Sequence, residues 1–284
     1  MTEVSRTRSR QQPQTIKGWR VSRQPLPWVM GILNVTPDSF SDGGKFLEPE
    51  QALAQAQRMI SEGATVIDIG AESTRPYGGQ QPVSAEQEIA RLQPVLADIV
   101  ALGTPVSIDT MKAGVARFAL ETGAAIINDV WGLQRDPDMV RVAADHHAPV
   151  IAMHNREVVD PALDIMSDIA RFFTRTLEIA DRAGIARDMI TLDPGIGFGK
   201  TPEQSMTALA RLAELKAFGC PLLVGASRKR FISTVTASEP HQRLGGSLAA
   251  HLLAVRHGAV VIRAHDVAET VQALRVTGAI EGHR

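Results

Sequence analysis

Met30-Gly-Ile-Leu-Asn-Val-Thr-Pro-Asp-Ser-Phe-Ser-Asp-Gly-Gly44 joins an apolar strand, an abrupt polar exit and a glycine-ended loop in one short stretch. The run from Trp28 to Leu33 has strand length, and polarity begins at its carboxyl end with Asn34. The pattern recurs at Thr65 to Ile69, Pro105 to Ile108, Ala124 to Ile127, Pro149 to Met153, Met189 to Leu192, Pro221 to Val224 and Ala259 to Ile262, eight runs in all. Runs that are almost wholly apolar, rather than alternating, belong to strands buried on both faces, and helices between them imply parallel pairing. Eight units of this kind predict an α/β fold closed into a (β/α)8 TIM barrel. The competing doubly wound open sheet would not usually need eight equal units, and the first strand-to-helix turn lacks G-x-G-x-x-G.

The intervening segments carry helical spacing and recognisable ends. Ser84 and Gln87 form a capping box ahead of Ile89, Leu92, Leu96, Ile99 and Val100, Gly103 closes the segment, and Pro94 predicts a kink within it. Thr201, with Pro202 in the first helical position and Gln204 three residues after the cap, predicts a second helix start. Asp266 and Glu269 repeat the device ahead of Val267, Val271 and Leu274. Ile165, Ile169, Phe172, Phe173 and Ala180 mark one face of a long helix ending near Gly184.

A chain of 284 residues with 44% apolar and 21% charged residues has the composition of a soluble globular protein. Its net charge of -1 supplies no bulk attraction for nucleic acid or a membrane, so any anion site must be local. No apolar run reaches the roughly 20 residues that span a bilayer. The single Cys220, between Gly219 and Pro221, reads as a buried thiol of a reducing compartment. Residues 1–14 are expected to be a flexible tail and 15–284 the barrel domain, with Ile16 to Val21 and Trp28 to Leu33 spaced for a short N-terminal hairpin.

Every apolar run ends in polar residues: Asn34; Asp68 and Glu72; Asp109; Asn128 and Asp129; His154; Asp193; Ser227, Arg228 and Lys229; Arg263 and His265. In a barrel these share one rim, the rim that carries active sites. Singly they are weak signals, since Asp68 or Asp129 could simply cap a turn. His154 has no second His or Cys at ligand spacing and reads as a hydrogen-bonded support rather than a metal ligand. Gly195-Ile-Gly-Phe-Gly-Lys-Thr201 places three residues between Gly195 and Gly199 where a Walker A loop needs four, so a P-loop is excluded. As a set, Asp109, Asn128 and Asp193 are acceptors suited to the N–H edge of a heterocycle. The basic groups after strands seven and eight suit a phosphate tail, with a solvated surface cluster as the competing reading.

The motifs Gly31 to Gly44, Asp68-Ile-Gly-Ala-Glu-Ser-Thr-Arg-Pro76, Ser107 to Thr110, Ile127 to Asp129, Asp193 to Lys200, Gly225 to Lys229 and Arg263 to Val267 together resemble the dihydropteroate synthases of the folate pathway. The resemblance runs from about Met30 to the last helix. It implies a cytoplasmic transferase, usually a homodimer, that condenses 6-hydroxymethyl-7,8-dihydropterin diphosphate with 4-aminobenzoate. It implies that Asp109, Asn128, Met153, Asp193, Lys229 and Arg263 hold the pterin. Asn34, Arg75, Arg263 and His265 would bind the diphosphate, with Mg2+ at Asn34. Thr74, Pro76, Phe198, Ser227 and Lys229 would form the aminobenzoate site, and Asp38 would join Lys229 and Arg263 as a catalytic group. His154-Asn-Arg-Glu157 stands where the family more commonly has His-Met-x-Gly, and Tyr77-Gly78-Gly79 alters the tip of the second loop.

Two other functions compete. A barrel passing a methyl group from methyltetrahydrofolate to a corrinoid protein would share Asp109, Asn128 and Asp193, but would not be expected to keep both Ser73-Thr-Arg-Pro76 and Ser227-Arg-Lys229. A non-catalytic paralogue would be expected to lose motif residues, and none is missing.

Overall fold

The chain alternates strand and helix throughout residues 26–36, 47–72 and 83–283, which the computed structural model describes. The strands are β1 (Trp28–Asn34), β2 (Val66–Gly70), β3 (Val106–Asp109), β4 (Ile126–Asp129), β5 (Val150–Met153), β6 (Ile190–Asp193), β7 (Leu222–Val224) and β8 (Ala259–Ala264). The helices are α1 (Leu47–Ser61), α2 (Ala85–Leu92), α3 (Leu96–Ala101), α4 (Ala113–Thr122), α5 (Met139–Asp145), α6 (Ile165–Arg182), α7 (Pro202–Ala210), α8 (Arg230–Val235), α9 (Leu244–Arg256) and α10 (Val267–Glu281). Neighbouring strands pair in parallel in sequence order, and β8 pairs with β1 to close the barrel. All eight apolar runs are therefore strands of one sheet. The expected tail, residues 1–14, and the expected hairpin partner Ile16 to Val21 lie outside the described residues.

Strand period two explains how this sheet makes a site. Met30, Val66, Ile126, Ile151, Leu223 and Val261 form their own buried cluster, the plug inside the barrel. Successive side chains of a strand point to opposite faces, so the residue two positions on points the same way. Two residues beyond the plug stand Asp68, Asn128, Met153 and Arg263, and the pairing Asp109↔Asn128 and Met153↔Asp193 sets Asp109 and Asp193 on the same inner face. On β2, β4 and β8 the inner face thus changes from apolar to polar within one step along the strand, while β5 stays apolar at Met153. The outward residues, such as Ile67, Ile69, Ile108, Ile127 and Leu192, stay apolar because they pack beneath the helices.

The helix starts follow the expected chemistry at two places and depart from it at a third. Ser84–Gln87 and Thr201–Gln204 are complete capping boxes, the second with proline in the first turn. Pro94 breaks the helix, leaving α2 and α3 as separate short pieces, because its ring cannot accept the preceding helical turn. α6 ends just before Gly184, which takes φ +75°. Asp266, expected to cap α10, makes no side-chain cap. Its carboxylate is instead taken by Arg228, with Nε at 3.0 Å and Nη2 closer still. A guanidinium that matches both carboxylate oxygens outcompetes one backbone N–H. Cys220 is free and buried, and burial raises its thiol pKa.

Candidate active site

The carboxyl ends of the strands gather a connected set of buried charges. Arg263 lies across the barrel mouth, donating from Nε to Asp68 Oδ2 at 2.6 Å and from Nη2 to Asp109 Oδ2 at 2.8 Å. Asn128 Nδ2 donates to the same Asp68 oxygen at 3.0 Å. Asp193 accepts from the Gly195 N–H at 2.8 Å. Gly70, the inward residue beside Asp109, leaves room there, since an added Cβ would stand 3.4 Å from the Asp109 Cβ.

Burial dominates the electrostatics. It raises Asp109 to about 7, against the opposing pull of Arg263, and raises Asp193 to about 6. Each is an acceptor that a ligand N–H would draw back to the ionised form. Asp68, alongside Asp109 and Ser107, has a buried oxygen with no partner among the described residues.

The turn after β7 sorts its basic residues by backbone conformation. Arg228 adopts φ +57°, a left-handed conformation that costs a non-glycine residue about 1–2 kcal/mol. Its N–H donates to Ser247 Oγ and its carbonyl accepts from Arg243 Nη1, which hold the turn. With Arg228 turned away to Asp266, its neighbours Ser227 and Lys229 face the barrel mouth. Lys229 Nζ lies 3.9 Å from the centroid of the Phe198 ring. Arg228 is therefore paired with a carboxylate rather than turned toward the barrel mouth.

His265 and Ser227 form a second pair. Ser227 Oγ accepts from the His265 N–H at 3.2 Å and lies 3.0 Å from His265 Nδ1. A hydroxyl that accepts from the N–H and donates to Nδ1 leaves the imidazole proton on Nε2, as a neutral donor for an anion. Burial, then the cations Arg263 and Arg228, push the His265 pKa down to about 3.

Behind the site, Gly195-Ile-Gly-Phe-Gly-Lys200 packs against the segment after β5. A Cβ at Gly195, where φ is +66°, would sit 2.0 Å from the His154 carbonyl oxygen, so only glycine fits. Lys200, 1% exposed, donates to His154 Nδ1 at 2.7 Å and to the Phe198 carbonyl at 3.1 Å. His154 Nε2 meets Asp168 at 3.1 Å, and Arg156 pairs with the same Asp168 oxygen at 2.7 Å. Burial, with the Lys200 cation beside it, lowers His154 to about 3, and burial lowers Lys200 to about 7. His154 is thus a supporting residue, as its isolation in sequence implied, and Arg156 buttresses it. The lysine that superficially resembled a P-loop residue fastens two loops together.

Of the expected site residues, Asp109, Asn128, Met153, Asp193, Phe198, Ser227, Lys229, Arg263, His265 and the half-buried Asn34 stand at the carboxyl ends of the strands or in the turns that follow them. Asp38, Thr74, Arg75 and Pro76, with Tyr77-Gly78-Gly79, lie outside the described residues. Among the described residues, the Val83 N–H donates to Glu72 Oε1 at 3.1 Å and Lys112 pairs with Glu72 at 2.6 Å. Asp129 proves to be a turn cap, accepting from the N–H groups of Trp131 and Leu133. Asp68, which the sequence alone could not separate from Asp129, is a member of the buried network. Among the described residues no three His, Cys, Asp or Glu side chains cluster to hold a metal.

A family model described as pterin binding enzyme matches residues 30–265. The chain is 44% identical over 253 residues to the dihydropteroate synthase of Bacillus subtilis, covering 89% of this chain and 88% of the relative. Its fold matches the crystal structure of the Clostridium difficile dihydropteroate synthase in the presence of pteroic acid, with a TM-score of 0.86, 45% identity, and coverage of 90% and 97%. The Xanthomonas albilineans dihydropteroate synthase with 4-aminobenzoic acid is equally near, with a TM-score of 0.86, 44% identity, and coverage of 90% and 93%. Strand order, the polar rim and these likenesses agree: the chain belongs to the dihydropteroate synthase family of pterin-binding enzymes.

Proposed function

We propose that the protein condenses 6-hydroxymethyl-7,8-dihydropterin diphosphate with 4-aminobenzoate, releasing diphosphate and forming 7,8-dihydropteroate. The observation that carries this reading is the buried acceptor set Asp109, Asn128 and Asp193 beside the cations Arg263 and Lys229. Asp109, Asn128 and Asp193 accept from the pterin N–H groups, Met153 lies against the ring, and Arg263 covers its face and reaches the diphosphate. Arg75 and Arg263 neutralise the leaving group, and His265 donates a hydrogen bond to it. Thr74, Pro76, Phe198, Ser227 and Lys229 receive 4-aminobenzoate, a substrate choice supported by the Xanthomonas relative solved with 4-aminobenzoic acid.

The C–O bond to diphosphate breaks before the amine adds, since a neutralised diphosphate is a good leaving group and the pterin ring stabilises the cation. Asp38 offers that cation a carboxylate. The arylamine is unprotonated near neutral pH, so neither a strong general base nor an enzyme nucleophile is required. Asn34 contributes one neutral oxygen at the end of β1, which suits Mg2+, an ion that takes few protein ligands and several phosphate oxygens. Asn34 would help hold Mg2+ there, and the ion would contribute charge neutralisation to the leaving diphosphate. The protein is proposed to work in the cytoplasm as a homodimer. Leu253 on α9 and Val276 and Ile280 on α10 give adjacent helices an exposed apolar surface for such an assembly.

Diphosphate release should require the dihydropterin diphosphate, 4-aminobenzoate and Mg2+ together. Folded protein that yields no dihydropteroate with all three present would remove the enzymatic reading. A methyl-transferring barrel or a non-catalytic paralogue predicts that result.

Binding should also move protons, with a sign set by the buried carboxyls. At pH 6 the free Asp109, at about 7, and Asp193, at about 6, are substantially protonated. Ligand N–H donors favour their ionised forms and lower both pKa values, so binding 7,8-dihydropteroate at pH 6 should release protons. At pH 8 the carboxyls are already ionised and the release should shrink. Calorimetry at pH 6 in two buffers of different ionisation enthalpy should give different observed heats, and equal heats would count against these residues as the acceptors.

A further inference from the structure

We propose that Asp68, a fully buried residue, sets the hydrogen-bonding polarity of the pterin pocket by fixing which end of the Asn128 amide faces the ligand. The inference rests on the pterin reading of this site and adds a positioning residue to it.

An asparagine can present either an acceptor or a donor, and its own chemistry does not choose. Here a neighbour chooses. Asp68 is fully buried, and its Oδ2 receives Arg263 Nε at 2.6 Å and Asn128 Nδ2 at 3.0 Å. A carboxylate engaged by a guanidinium accepts only, so the Asn128 NH2 must turn toward it. The Asn128 Oδ1 is thereby left for the pocket. The same guanidinium occupies Asp109 Oδ2, leaving Asp109 Oδ1 without a partner among the described residues. One buried carboxylate thus orients an amide directly and, through Arg263, a second carboxylate. Both present acceptors to a ring edge that carries N–H donors. Asp68 and Asn128 come from strands separated by β3, and are 60 residues apart in sequence.

The alternative is that Asp68 is merely a counter-ion that holds Arg263. The two ideas part at the amide. Arg263 Nε and Asn128 Nδ2 share one Asp68 oxygen, so Asp68→Leu, of similar shape, removes that acceptor and frees the Asn128 amide to flip and offer the pterin a donor. Affinity for 7,8-dihydropteroate should fall about 10- to 100-fold, the usual consequence of a mispaired buried polar group. The KM for 4-aminobenzoate should change less than about threefold, because general loosening of the site would move both. Asn128→Asp alone sets two carboxylates together and should also weaken pterin binding.

Asp68→Asn should bind 7,8-dihydropteroate within about threefold of wild type, because its amide oxygen can take the place of the shared oxygen and keep the Asn128 NH2 turned away from the pocket. A counter-ion role predicts the opposite, since asparagine carries no charge. Unchanged dihydropteroate affinity in Asp68→Leu, or a loss in Asp68→Asn as large as in Asp68→Leu, would overturn the proposal. If Asp68→Leu does not fold, Asp68→Asn carries the test, and a loss of about tenfold or more in it overturns the proposal. Wild-type protein that binds no dihydropteroate would instead sink the functional reading, before any variant is made.

Discussion

Lys229→Ala should lose at least about a hundredfold in kcat/KM while keeping the native far-UV circular dichroism and melting transition. Lys229 is half-buried at the start of α8, with its Nζ over the Phe198 ring, and it supports no strand of the barrel. Its removal should therefore cost little stability. Its loss reaches both substrates, because the proposed pterin and aminobenzoate sites share it. It also acts at a distance, since the Lys229 cation lowers the pKa of both Asp109 and Asp193. Without it both carboxyls hold their protons to higher pH, so the ascending limb of kcat/KM should move upward in pH. Lys229→Arg should recover that limb without recovering the rate, because a planar guanidinium directs its donors differently from a compact ammonium. Near-normal kinetics of the alanine variant would refute the role.

The proposed double role of Lys229 comes from the family resemblance; the residues alone show only a basic run following Ser227. Barrel closure was legible because it depends on a coarse quantity, eight apolar runs separated by helices. So was the polar rim, since each run ends in polarity whatever its register. Facing was not. Asn128 and Asp129 are adjacent and equally polar, yet one lines the barrel and the other caps a turn, because alternation sends neighbours to opposite faces. Ser227, Arg228 and Lys229 divide between site and Asp266 through a left-handed Arg228 that no side-chain pattern announces. The same Arg228 explains the failed cap at Asp266, a competition between residues 38 apart. The Lys200–His154 contact spans 46 residues, and burial beside a histidine leaves no mark on the lysine's immediate neighbours.

Arg263→Ala should be the most damaging single change in the described site, for stability as well as rate. In the wild type its guanidinium, itself 18% exposed, bridges Asp68 and Asp109, which are 0% and 6% exposed. Truncation leaves two carboxyls close together in the barrel mouth without their cation. Breaking a buried pair by removing one partner typically costs about 3–5 kcal/mol. The loss should depend on pH in a definite direction. Loss of Arg263 raises the folded-state pKa of Asp109, since Arg263 is what opposes the burial that has already lifted it to about 7. A carboxyl whose folded pKa exceeds its unfolded value binds more protons folded than unfolded between the two, so stability falls as pH rises through that window. The deficit relative to wild type should thus be smallest near pH 5, where Asp109 is protonated in both proteins, and should grow toward pH 8. Urea unfolding of both proteins at pH 5 and pH 8 measures it directly. A deficit independent of pH would mean that Arg263 contributes packing rather than charge, and that the carboxylates of this site are neutralised by something other than the residue spanning them.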